Sequence, residues 1–100
     1  MKKKYAFVLL GGEYDPAQHR AKFETKTQVT YIRTVRDFDE AKEAVLSLQK
    51  DGVGAVELCG AFGKQKACEL IDATDGTIAI GFVTHLPEQD ALFDAFFTGF

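Results

Sequence analysis

The spacing of apolar residues switches between two regimes along this chain. Short, dense apolar runs alternate with stretches in which apolar residues recur every three or four positions. The first pattern belongs to strands and the second to helices. Lys4 to Leu10 is a dense run closed by Gly11-Gly12. It predicts a strand buried on both faces, as in parallel sheets. Gly11 to Lys26 has no period. Within it, Asp15-Pro16 is a helix-start signal that predicts a helical turn through Arg20. Thr27 to Val35 is rich in Thr, Val, Tyr and Ile and predicts a second strand.

Asp37 opens a helix. It is placed to cap the N-terminus, with Glu40 three residues on as in a capping box. Phe38, Ala41, Val45 and Leu48 form the apolar stripe, and Gly52 is placed as the left-handed stop. Val53 to Cys59 predicts a third strand. Phe62 to Ala73 predicts a second helix with Ala67, Leu70 and Ile71 inward and Cys68 packed. Asp75-Gly76 marks a turn, Thr77 to Thr84 a fourth strand, and Pro87 the start of a last helix reaching about Thr98. The expected order is β-β-α-β-α-β-α. That order implies a single α/β domain: a mainly parallel four-stranded sheet flanked by helices, three-layered like flavodoxin or Rossmann folds. The expected strand order is 2-1-3-4.

Composition narrows the function classes. At 100 residues and 46% hydrophobic, the chain is long enough for one domain with a real core. The net charge is −3, and Lys2-Lys3-Lys4 is the only basic cluster, so no nucleic-acid partner is expected. No stretch approaches a membrane span, and the Tyr5–Leu10 run lacks the length and cleavage site of a signal peptide. The expected compartment is the cytoplasm. Cys59 and Cys68 fit neither a Cys-x-x-Cys redox pair nor a zinc set. No metal or cofactor is expected.

The candidate chemistry gathers where the strands end. In an open α/β sheet, ligands bind beyond the carboxyl ends of the strands. The turn Gly60-Ala61-Phe62-Gly63 follows a strand and opens a helix, a composition suited to backbone N–H groups that hold an anion. It suits equally a tight turn that needs glycine for its angles. Asp15, His19 and Arg20 reach the same edge from the first loop, so a small anionic or polar metabolite is the expected ligand. Glu57 stands in an apolar strand, where a carboxylate must be paired, neutralised or used. Alternation puts Ala55, Glu57 and Cys59 on one face, and Ala79, Gly81, Val83 and His85 on one face of the next strand. Buried there, Glu57 is either a general acid or base with a raised pKa or half of a structural pair with Arg33, a tyrosine or His85. Cys59 beside His85 is either a nucleophile or a small buried hydrophobe.

Leu92, Phe93, Phe96, Phe97 and Phe100 make the last helix apolar over a wide stripe. One part of it can pack on the sheet. The remainder suits a homodimer, which makes a non-catalytic oligomeric module the competing functional reading.

The run Glu57-Leu58-Cys59-Gly60-Ala61-Phe62-Gly63, with Tyr14-Asp15-Pro16 and His19-Arg20, resembles a family of small prokaryotic proteins known only as a domain of unknown function. The resemblance spans nearly the whole chain. It departs at Ala61, where the family often has glycine. It implies no activity.

Overall fold

Residues 1–98 are described by a computed structural model. Strand β1 (Lys3–Leu10) is apolar on both sides, but the two sides differ. Ala6 and Val8 are fully buried, whereas Tyr5, Phe7 and Leu9 are only half-buried. The same split runs through β3 (Gln28–Val35), where Val29, Tyr31 and Val35 face the core and Thr30 and Ile32 face away. A dense apolar run therefore does not mean cover on both faces here.

Helix α1 (Phe38–Lys50) starts where Asp37 caps it, its carboxylate accepting from the Glu40 N–H at 2.8 Å. The reciprocal arm of the capping box differs from expectation. Glu40 accepts from the Arg36 N–H at 2.8 Å, one residue earlier than the cap. Ala41, Val45 and Leu48 are the buried stripe, and Gly52 ends the helix with φ of 93°, an angle glycine adopts freely. Strand β4 (Ala55–Leu58), helix α2 (Gly63–Ala73) and strand β5 (Ala79–Phe82) follow, with Ala67 and Leu70 buried from α2. Cys68, expected to pack, is exposed.

The α/β class is as expected, but the sheet has five strands in the order β2-β3-β1-β4-β5. The four anticipated strands keep the 2-1-3-4 order. The extra strand, β2 (Ala21–Glu24), pairs antiparallel with β3, so the sheet is mixed. All four residues of β2 are exposed, and an exposed edge strand carries no apolar pattern to betray it. The crossovers through α1 and α2 both progress toward β5. Right-handed connections that advance in one direction lay their helices on one face. That face holds the core, in which Val45, Leu48 and Leu70 meet Val8, Val56 and Leu58. Each fully buried aliphatic side chain contributes about 1.5–3 kcal/mol.

The expected third layer is not formed. A 3-10 turn at Pro87–Gln89 leads into α3 (Asp90–Thr98), which has no buried residue among those described. Phe100, the last member of the predicted stripe, lies outside the described residues. The Cα radius of gyration is 14.2 Å, above the ~13 Å of a compact chain this long. The sheet thus has one face under helices and one open face.

Candidate functional site

Strand pairing arranges the open face in two rows. One runs Phe23, Thr30, Tyr5, Ala55, Ala79; the next runs Ala21, Ile32, Phe7, Glu57, Gly81. Both rows are apolar apart from the Thr30 and Tyr5 hydroxyls and the Glu57 carboxylate. Glu57 is exposed, not buried as expected, because no helix covers β4 on this side. Among the described residues it has no ion-pair partner. The pairing with Arg33 does not occur, since Arg33 registers with Val8 on the helix-covered face. Nor does His85 reach Glu57. Its Nε2 meets Asp90 Oδ1 at 2.7 Å and its ring stacks on Phe93 at 4.1 Å, which fixes the root of α3.

The polar group that Glu57 influences is the Tyr5 hydroxyl, one row away on the adjacent strand. Burial pushes the Tyr5 hydroxyl above its usual 10.0, and the Glu57 carboxylate beside it adds to the rise. A phenol that holds its proton next to a carboxylate offers one donor and one acceptor on an apolar floor. The face beside them is unobstructed. A Cβ added at Gly81, directly across from Glu57, would meet nothing within 4 Å.

The other predicted site residues fall into separate places. The Cys59 Sγ accepts from the Leu10 N–H at 3.3 Å and packs against the core. Phe62 is buried in that core. In the turn Gly60-Ala61-Phe62-Gly63, it is Gly63 that needs glycine, with φ of 74°. Asp15 and His19 organise their own loop. Asp15 Oδ1 accepts from the Ala17 N–H at 3.0 Å, and His19 Nδ1 accepts from the Asp15 N–H at 2.8 Å. The His19 carbonyl then accepts from the Thr34 hydroxyl at 2.6 Å, tying the loop to β3.

Asp15 and Arg20 come together in a groove of about 530 Å³ beside α1, with Arg33, Arg36, Glu40, Glu43 and Asp51, so its carboxylates balance its guanidinium groups. Arg36 is neutralised by Glu40, its Nε donating at 3.0 Å. Arg20 and Arg33 have no carboxylate partner among the described residues. Burial lowers the Arg33 pKa, and Arg20 nearby lowers it further. Its guanidinium lies 4.9 Å from the Tyr31 ring centre.

A protein-family model described as a family of unknown function, DUF6506, matches residues 3–98. The chain belongs to DUF6506. The match includes both the Glu57 region and the first loop, where the sequence resemblance was read. Comparison of this DUF6506 chain with curated proteins and with solved structures gives no match. Among the described residues no helix is long and apolar enough to cross a membrane.

Sequence reasoning missed Tyr5 and the open face as a unit. Every residue from Tyr5 to Leu10 is apolar or aromatic, so period-two alternation gave no sign of two environments. The contrast of small Ala6 and Val8 with larger Tyr5, Phe7 and Leu9 was the available signal.

Proposed function

We propose that the protein binds a small polar molecule on the open sheet face, with Glu57 as acceptor and the Tyr5 hydroxyl as donor. The observation that carries this reading is an exposed carboxylate without a cation, set with a phenol into an apolar floor beside open space at Gly81. Binding sites have this make-up: mostly apolar walls and a few placed polar groups. The negative charge of Glu57 favours a ligand carrying an amine, amide or other N–H donor over an anion. A thermal-shift screen of small amines and amides on wild type and Glu57→Gln tests it. The expected result is stabilisation of wild type by one chemical group of ligands and loss of that response in Glu57→Gln. An equal response in both proteins would place binding elsewhere.

A further inference from the structure

Two apolar surfaces are left uncovered among the described residues: the open sheet face and α3. On α3, Leu92, Phe96 and Phe97 are 66%, 67% and 69% exposed. Its length is nine residues, and isolated helices below about 12–15 residues are marginal in water. The stem before it also exposes Leu86. His85, held by both Asp90 and the Phe93 ring, ties the helix to its own stem. A short helix of this composition gains stability from a surface to lie on.

We infer that a second copy of this chain seats on the open face, its α3 lying against the first copy's sheet while the first α3 does the same in return. Area favours a second copy over closure of α3 onto its own sheet. Strands about 4.8 Å apart rising ~3.3 Å per residue give this sheet a face of roughly 400–450 Å². A nine-residue helix is about 14 Å long and 10 Å wide and would cover only about a third of that. Lying side by side between the two sheets, both helices would touch both faces, cover about two thirds of each and bury about 1,100 Å² in all, the size of a specific interface. The exchange is reciprocal, as a two-fold assembly requires.

The assembly also changes the site, a consequence that rests on the reading given under Proposed function. Glu57 passes from an exposed position to an enclosed one. An enclosed carboxylate needs hydrogen-bond partners, and the Tyr5 hydroxyl together with a polar ligand supplies them. The small residues Ala55, Ala79 and Gly81 keep room for that ligand between the copies. The site is therefore incomplete in one chain.

Sedimentation equilibrium of the full chain in reducing buffer tests the assembly without any ligand. Wild type is expected at twice its 11.0 kDa mass, and Phe96→Asp at the single mass, with a far-UV circular dichroism loss no larger than the nine residues of α3 account for. Ile32→Lys, from the sheet half of the contact, is expected to be monomeric as well. A wild-type monomer at tens of micromolar would overturn the assembly, as would a Phe96→Asp protein that remains paired. Carbodiimide labelling of Glu57, read by peptide mass, tests the enclosure. Labelling is expected several-fold slower in wild type than in Phe96→Asp, and equal rates would overturn it. A paired wild type whose ligand response survives Glu57→Gln would retain the assembly and reject the polar-ligand reading. A monomer whose response depends on Glu57 would do the reverse.

Discussion

The two faces of this sheet come from the same strands and differ in what covers them. On the closed face, Ala6, Val8, Val56 and Leu58 are at most 1% exposed beneath α1 and α2. On the open face, Tyr5, Phe7 and Ile32 stay half-buried and Glu57 stands in solvent. The centre of the closed face, on β1 and β4, is small and aliphatic, as suits close helix packing, with Tyr31 and Phe82 at its flanks. The open face is aromatic with a few polar groups, the composition of a binding surface. The helices hold the fold from one side and leave the other side open.

Substitutions on the two faces are expected to separate stability from assembly. The largest loss falls on the closed face: Leu58→Ala is expected to cost about 2–5 kcal/mol in urea unfolding, because the site is sealed and cannot collapse. Asp37→Ala removes the cap of α1, the helix that covers this face, and is expected to cost about 1 kcal/mol. On the open face, Ile32→Ala in the Phe96→Asp background is expected to change stability by no more than about 0.5 kcal/mol. A larger loss there would mean that the open face also holds the monomer together.

The smallest effect is a pH dependence. Folded Tyr5 keeps its proton above 10.0, where an unfolded tyrosine releases it, so the folded state binds more protons in that window. Stability from this group is complete below 10.0 and falls as pH rises through the folded value. In Glu57→Gln the Tyr5 midpoint, read from its ring carbon shift, is expected to move down but stay above 10.0, since burial is the larger cause. An unchanged midpoint would separate the two groups and weaken the site.

Most of the fold was legible because periodicity and stop signals agree. Asp37, Gly52 and the strand-helix alternation each mark a boundary that the chain uses. The four-residue β2 was not legible, since Ala21-Lys22-Phe23-Glu24 lies exposed at an edge and has no core to point toward. The three-layer expectation failed at α3 because an apolar stripe states that a helix must be covered, not by which molecule. Glu57 was legible as an anomaly, and it does share a face with Ala55, Ala79 and Gly81, whereas Cys59, expected on that face, packs against the core. Its burial was misjudged because an apolar strand looks the same whether its second face meets a helix of its own chain or none. His85 was drawn toward the strand tips by sequence, whereas Asp90 and Phe93, close to it in the chain, hold it at the root of α3.

The central claim is that the open face is covered by α3 of another copy, and isotope-filtered NMR tests it most directly. A uniformly labelled chain is mixed with an unlabelled one, and only contacts between different chains give signals. The account predicts cross-peaks between the Phe96 ring of one chain and the Ile32 or Phe7 side chains of the other. Cross-peaks confined to a single chain, or none at all, would contradict it.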